Sequence, residues 1–103
     1  MRYEWDDRKN RRNQRIHDGI SFELAALVLM DADCIVTRDR TDASGEQRWH
    51  AIGTARIALD AVAVLLVVHT YRKDNDGQEI IRVISARRAE KHEIRRYRQQ
   101  ALE

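Results

Sequence analysis

The sequence predicts a single α+β domain over residues 1–103, with an antiparallel sheet of about four to five strands, N-terminal helices and a C-terminal helix. Three observations predict this fold class. Apolar stretches of strand length follow one another with short turns between them, helical periodicity is confined to the two ends, and 103 residues suffice for only one core. We expect helices to cover one face of the sheet and the other face to be available for a ligand.

The N-terminal part of the chain predicts one short strand and two helices. The strand covers residues 2–5, and a charged helix follows at residues 7–16 with Asp6 as its N-cap. Asp18-Gly19 ends this helix. Ser21 is placed to cap a second helix, whose apolar residues recur at helical spacing and predict a face that packs on the sheet: Phe22, Ala25, Ala26, Leu29 and Met30.

The remaining chain predicts four strands and a final helix. Strands are expected at residues 34–38, 48–54, 61–71 and 79–85, with turns at 42–45 and 74–77. The unbroken β-branched run at 62–68 is typical of a central strand that is covered on both faces. The final helix begins at about Ala89, and it places Ile94, Tyr97 and Ala101 on one apolar stripe.

Charge is divided unevenly along the chain although the net charge is only +2. Residues 1–17 carry six basic and three acidic side chains, and residues 80–103 carry seven basic and three acidic ones. The middle of the chain, residues 18–79, carries six basic and eleven acidic side chains. If the two basic ends meet in the fold, they form a positive face that attracts polyanions. A merely solvated charged surface would give the same pattern, so charge alone leaves both interpretations open.

Several classes of protein are excluded or disfavoured. No apolar run approaches the roughly 20 residues of a membrane-spanning helix, and the acidic N-terminus lacks the order of a secretory signal. Cys34 is the only cysteine, which excludes an internal disulfide and a cysteine-cluster zinc site. We therefore expect a cytoplasmic protein without a membrane partner.

Four blocks of residues, in this order and spacing, resemble one known family over nearly the whole chain. They are Tyr3-Glu4-Trp5-Asp6 with Lys9, Asn10, Asn13 and His17; Gly19-Ile20-Ser21-Phe22-Glu23 with Ala25; Arg48-Trp49 with Ile52-Gly53; and Ile81-Arg82-Val83-Ile84-Ser85-Ala86-Arg87-Arg88-Ala89 with Glu93 and Tyr97. The sequence resembles the BrnT toxins of type II toxin–antitoxin systems, which belong to the RelE-like ribonuclease superfamily. The chain departs from the usual family pattern at Ile16, where lysine is common, and at Asp18, which lengthens the loop by one residue.

The resemblance implies an endoribonuclease that cuts messenger RNA without a metal ion or other cofactor and so inhibits translation. It also implies a BrnA-like ribbon-helix-helix antitoxin that neutralises the toxin and represses the operon, so that operator DNA is contacted only through the antitoxin. A toxin homodimer within a larger toxin–antitoxin assembly is expected. The runner-up function is a non-catalytic basic module that binds a partner or nucleic acid.

RNA cleavage needs a group that moves a proton and cations that stabilise charge on the phosphate. The acidic residues are scattered singly, which disfavours a two-metal mechanism. Arginine holds phosphate in a bidentate fork, and histidine titrates nearest to neutrality. Together with the resemblance, these requirements predict Arg48, Arg82 and Arg87 as phosphate clamps and His17 or His50 as the proton carrier. Lys9, Arg12 and Arg88 are predicted to bind the substrate as well. Arg95, Arg96 and Arg98 are predicted to bind the antitoxin.

Some of these residues have structural alternatives. Arg82 interrupts an apolar strand, and an ion pair with Glu4 or Glu79 at the sheet margin would explain it without a ligand. Arg87 could clamp RNA or simply cover the end of the sheet. Trp5 and Trp49 could stack on bases, but we expect them to be buried packing residues.

Overall fold

The computed structural model describes residues 1–101, and of Ala101 only the backbone. The predicted fold class and element order are confirmed. The elements are β1 (Arg2–Glu4), α1 (Asp7–Ile16), α2 (Phe22–Leu29), β2 (Ile35–Thr41), β3 (Gln47–Ala58), β4 (Ala61–Lys73), β5 (Glu79–Arg88) and α3 (Lys91–Ala101). Ile94 is half-buried and Tyr97 buried, as the predicted stripe on α3 requires, while the side chain of Ala101 lies outside the described residues.

The five strands form one sheet in the order β1-β5-β4-β3-β2. Strands β2 to β5 pair antiparallel through consecutive hairpins. The first strand, β1, pairs parallel with β5, so the sheet is mixed and not antiparallel throughout. The difference arises because a hairpin forces its two strands to be antiparallel, whereas β1 and β5 are separated by nearly the whole chain.

Helices lie on both faces of the sheet. Helix α2 packs its buried residues on the larger core, which includes Ala51, Leu65 and Val67. On the opposite face Tyr97 of α3 packs against Ile52 and Leu66. The expectation that one face is free of helices is therefore wrong for the half that α3 covers, because the apolar stripe of α3 needs a partner.

The uncovered half of this second face is called the open half-face below. Side chains on paired strands point to the same face when the residues are opposite each other, and they alternate along each strand. Between β4 and β5, the register places Thr70 opposite Arg82 and Val68 opposite Ser85. On the other side of β4, Val68 is opposite His50 of β3. With Arg48, two residues before His50, these side chains define the open half-face: Arg48, His50, Val68, Thr70, Arg82 and Ser85.

One extra residue in β5 determines that Arg82 lies on the open half-face. Val68 is opposite Ser85, but the next residue, His69, is opposite Val83, so Ile84 has no partner in the ladder. Such a β-bulge shifts the alternation of side chains by one residue. In a regular ladder Arg82 would be opposite Tyr71, on the face that packs against α2. With the bulge, Arg82 is opposite Thr70.

Two polar side chains complete the sheet where its edge strands stop. β1 pairs with β5 only as far as Arg82, and beyond that point Asn13 of α1 binds the backbone of Ala86. The Asn13 Nδ2 donates to the carbonyl oxygens of Ala86 (2.8 Å) and Ile20 (2.9 Å), and its Oδ1 accepts from the Ala86 N–H (3.2 Å). Asn13 therefore fastens both α1 and the loop after it to β5.

At the other edge, Asp31 binds the backbone of β3 beyond the start of β2. Its Oδ2 accepts hydrogen bonds from the Thr54 N–H (2.9 Å) and from the Tyr97 hydroxyl (2.5 Å). Burial by itself would raise the pKa of Asp31, but these bonds outweigh it and the pKa lies below its ordinary value. This carboxylate links the end of α2 to β3 and α3.

Replacing Asn13 by alanine should strongly destabilise the fold. The substitution leaves the N–H and C=O of Ala86 and the C=O of Ile20 without their side-chain partner, and buried unpaired groups are costly. We expect the free energy of unfolding to fall by about 3 kcal/mol in urea denaturation. Gln14→Ala is the control, because the side chain of Gln14 bonds, among the described residues, only to Asn10 on the same helix. Equal effects of the two substitutions would contradict this role of Asn13.

Candidate functional site

A cleft of about 320 Å³ lies between α1 and β5. Arg48 reaches it from β3 across the intervening strand β4. Its lining contains three basic side chains and, among the described residues, no carboxylate: Lys9, Arg12, Asn13, Ile16, His17, Arg48, Ile84 and Ser85. This space is called the cationic cleft below.

Helix α1 supplies one wall of the cationic cleft because of its residue spacing. Lys9, Arg12 and Ile16 are at positions i, i+3 and i+7, which fall on one face of a helix. Asp6 caps the helix by accepting from the N–H groups of Arg8 (2.8 Å) and Lys9 (3.1 Å). The N-cap predicted from the sequence is therefore confirmed.

The chain turns sharply directly after the cleft residue His17, which is the C-cap of α1. The next two residues, Asp18 and Gly19, have φ values of +51° and +79°. Aspartate tolerates this left-handed conformation better than most side chains, and glycine adopts it freely. The additional residue Asp18 is thereby accommodated in the turn, and the N–H of Gly19 still bonds to the carbonyl of Gln14 (2.8 Å).

Four of the residues selected from the sequence come together in this cleft: Lys9, Arg12, His17 and Arg48. The sequence pattern could not show that residues of α1 and β3 line one cleft, because this depends on the order of strands in the sheet. Arg48 has one acidic neighbour, since its Nε lies 3.5 Å from Asp42 Oδ2. Hydrogen bonds from Ser44 and Glu46 contribute most to lowering the pKa of Asp42 to about 2.

Arg82 lies on the open half-face next to the ion pair between Glu4 and Arg72. Arg72 holds the Glu4 carboxylate with two bonds, from Nε (2.9 Å) and Nη2 (2.8 Å), and they lower the pKa of Glu4. Arg82 Nη1 makes one longer contact with Glu4, at 3.5 Å. The predicted alternative of an ion pair thus accounts for only one donor of Arg82, and its other N–H groups bond to none of the described residues.

His50 stands on the open half-face but does not line the cationic cleft. Its Nε2 lies 3.0 Å from Asp39 Oδ2, and both side chains are about one third exposed. Sequence reasoning missed Asp39, because the contact runs between β2 and β3 and is visible only once their register is known.

Arg87 and Arg88 do not join the cationic cleft. Arg87 is opposite Leu66 and makes two bonds to Glu93 of α3, from Nη1 (2.8 Å) and Nη2 (3.1 Å). Arg88 is opposite Leu65 on the other face of the sheet, where it is exposed. The alternation of side chains at the end of β5 separates these two neighbours.

The three arginines assigned to antitoxin binding are exposed on α3. Arg95 and Arg98 line a surface depression of about 350 Å³ together with Lys91 and Ile94. Arg96 lies beside Ile35, Gln99 and Gln100 at a second depression. α3 therefore presents a basic outer surface that is separate from the cationic cleft.

The two tryptophans make the predicted packing contacts, but both are half-buried and not buried as expected. The rings of Trp5 and Phe22 meet edge to face at 6.4 Å, and those of Trp49 and Tyr71 do so at 5.7 Å. Neither tryptophan lines the cationic cleft.

Four cleft residues were not selected as functional residues from the sequence: Asn13, Ile16, Ile84 and Ser85. Asn13, Ile84 and Ser85 belong to the blocks that carry the family resemblance, but nothing in the sequence assigned them to a cleft. The bulge that brings Ile84 and Ser85 to the cleft together is visible only in the strand register.

Two features are absent from the part of the chain that the structure describes. In residues 1–101 no three side chains of the histidine, cysteine, aspartate or glutamate type are grouped so that they could hold a metal ion. No described helix has the length and apolar character needed to cross a membrane.

The fold and the cleft define a small α+β protein with a site suited to a phosphate-bearing ligand, since several fixed cations converge there without a lining carboxylate. Residues 5–93 match the family model described as the ribonuclease toxin, BrnT, of type II toxin–antitoxin systems. The chain belongs to this family of ribonuclease toxins, and every residue that lines the cationic cleft falls within the matched range. No curated protein matches the chain.

Arg87→Gln should destabilise the fold near neutral pH more than at about pH 3. Burial tends to raise the pKa of Glu93, but the bonds from Arg87 and from the Glu90 N–H lower it below its ordinary value. This stabilisation is present above the pKa of Glu93 in the unfolded chain and is lost as pH falls through the folded value. Because Arg87 is one third exposed, we expect the free energy of unfolding to fall by only about 1 kcal/mol near neutral pH.

Urea denaturation at the two pH values measures this effect. The matched control is Arg88→Gln, which removes the same charge from the exposed neighbouring residue and should change stability little. An equal loss from Arg87→Gln at both pH values would rule out the ion pair with Glu93 as the cause.

Proposed function

We propose that this protein is an endoribonuclease that cleaves messenger RNA in the cationic cleft without a metal ion, and that it inhibits translation in the cytoplasm. The observation that carries the proposal is the convergence of Lys9, Arg12 and Arg48 beside His17. Membership of a ribonuclease toxin family supports it. RNA contains its own nucleophile, so cleavage requires proton transfer and charge stabilisation but no metal-bound water.

In the proposed reaction, the 2′-hydroxyl of the RNA loses its proton and its oxygen attacks the adjacent phosphorus. A cyclic 2′,3′-phosphate forms, the bond to the 5′-oxygen breaks, and that oxygen leaves with a proton. His17 moves a proton in this reaction because it is the histidine that lines the cleft. His50 is the alternative carrier, since it stands beside Arg48 on the open half-face.

The cations have two tasks in this mechanism. Arg48 and Arg12 hold the non-bridging oxygens of the reacting phosphate, and Lys9 adds a point charge beside them. Arg82 binds a neighbouring phosphate on the open half-face with the donors that Glu4 leaves unused. Arg87 and Arg88 take no part, because one is engaged by Glu93 and the other lies on the opposite face.

Neutralisation of the toxin requires a partner. The proposed partner is a BrnA-like ribbon-helix-helix antitoxin, which binds the exposed arginines of α3: Arg95, Arg96 and Arg98. Operator DNA is contacted through the antitoxin alone, and the complex represses its operon. Two toxin molecules occupy one such assembly.

Arg12→Ala should impair RNA cleavage, whereas Arg11→Ala should not. The two arginines are exposed neighbours on α1, but only Arg12 lines the cleft. We expect Arg12→Ala to slow cleavage about tenfold or more. We also expect the slope of the logarithm of RNA affinity against the logarithm of salt concentration to become shallower by about 0.7. The assay measures cleavage of a defined RNA in EDTA by the purified protein, with thermal melting as the folding check.

The outcomes of this assay separate the two functional hypotheses. Cleavage in EDTA that Arg12→Ala slows and Arg11→Ala leaves unchanged supports the proposed enzyme. RNA binding without cleavage, either of free RNA or of RNA on ribosomes, would instead indicate a non-catalytic binding module. Equal effects of the two substitutions would show that the cleft is misplaced.

Reversing the charge of the three α3 arginines should weaken antitoxin binding without affecting cleavage by the toxin alone. Like charges across an interface raise its free energy, and we expect affinity to fall about 100-fold at low salt. Calorimetric titration with the antitoxin measures the change. A matched triple variant reverses three exposed charges of α1 instead and should retain affinity: Arg8→Glu, Arg11→Glu and Arg15→Glu. Full affinity of the α3 variant would contradict the assignment.

A further inference from the structure

We propose that Ser85 contacts the substrate in the cationic cleft, and that its hydroxyl donates a hydrogen bond to a non-bridging oxygen of the bound phosphodiester. The proposal rests on the proposed function, because it names a further residue of the same site. The sequence analysis assigns Ser85 no role, and only the three-dimensional structure places it in the cleft. Three features of its surroundings carry the assignment.

The first feature is the strand pairing at the β-bulge, which places Ser85 on the open half-face opposite Val68. In a regular strand two consecutive side chains point to opposite faces, so only one of them could line a given cleft. Here both Ile84 and Ser85 line it, because Ile84 is the extra residue of the bulge. β-Bulges commonly redirect a side chain next to an active site. The backbone of Ser85 remains paired with Val68, so the hydroxyl is carried on a fixed strand.

The second feature is that the other non-ionisable polar side chain of the cleft, Asn13, is already engaged. Both N–H groups of the Asn13 amide donate to backbone carbonyls, and its oxygen accepts from the backbone of Ala86. Asn13 has no donor left for a ligand. The hydroxyl of Ser85, in contrast, makes no hydrogen bond to any described residue. Among the described residues that line the cleft, Ser85 is the non-ionisable side chain with a free donor, and the remaining free donors belong to His17 and the cations.

The third feature is the charge around Ser85. Lys9, Arg12 and Arg48 line the same cleft, so an anionic group is the ligand that these side chains favour together. A serine hydroxyl within this set can donate to a phosphate oxygen at short range. Ile84 lies directly beside it in the lining of the cleft. The hydroxyl thus adds direction to the attraction that the cations provide.

Ser85→Ala should slow RNA cleavage about 10- to 100-fold, the effect of removing one donor to developing charge. Ser85→Thr keeps the hydroxyl on a strand and should restore most of the rate. Both variants should melt near the wild-type temperature, because the hydroxyl has no partner among the described residues. The matched control is Thr37→Val, which removes a half-buried hydroxyl from β2 outside the cleft and should leave cleavage unchanged.

A second measurement separates this proposal from the proposed function. The probe is a non-cleavable oligonucleotide of the same sequence with a 2′-deoxy residue at the cleavage position. Weaker binding of the probe by Ser85→Ala than by wild type or Ser85→Thr supports the contact even if wild type does not cleave RNA. Cleavage by wild type with no difference in Ser85→Ala overturns the Ser85 assignment alone. If wild type neither cleaves RNA nor binds the probe, both proposals fail.

Discussion

The placement of one unpaired residue, Ile84, is the constraint on which the site depends. Val83 and Ala86 are both buried in the core that α2 covers, although they are three residues apart. Arg82 and Arg87 lie on the opposite face, although they are five apart. Strict alternation cannot satisfy either spacing, and one extra residue satisfies both. The free energy of burying Val83 and Ala86 therefore also determines that Arg82 faces solvent and that Ser85 faces the cleft.

The bulge is joined to α1 by Asn13, whose amide binds Ala86, the residue directly after Ser85. Three cations around one cleft repel one another, and this repulsion favours a wider separation of α1 from the sheet. The buried amide bonds of Asn13 oppose that separation, while the Asp42 carboxylate near Arg48 reduces the repulsion. The width of the cleft thus depends on a neutral residue that makes strong bonds to backbone, and the charges remain available to a ligand.

Much of the fold could be predicted from the sequence, because its signals are local. Asp6 and Ser21 cap the two helices as predicted, and the turns at Gly45 and Gly77 adopt the positive φ values that their sequences favour. The parallel pairing of β1, the bulge and the two edge-binding residues depend on contacts between distant parts of the chain. For the same reason Lys9, Arg12, His17 and Arg48 could be selected by residue type, but their meeting and the engagement of Arg87 by Glu93 could not be derived.

The division of the second sheet face explains how a small domain can hold a ligand site and a partner surface together. α3 is anchored over one half by Arg87 and by the bond from Tyr97 to Asp31. The row of Leu66 and Arg87, which α3 covers, is next to the row of Val68 and Ser85, and such rows are about 7 Å apart along a strand. α3 and the cleft residue Ser85 therefore lie on the same side of the sheet. If an antitoxin binds the outer arginines of α3, as proposed above, and extends over the open half-face, it would block the cleft without a change in the fold of the toxin.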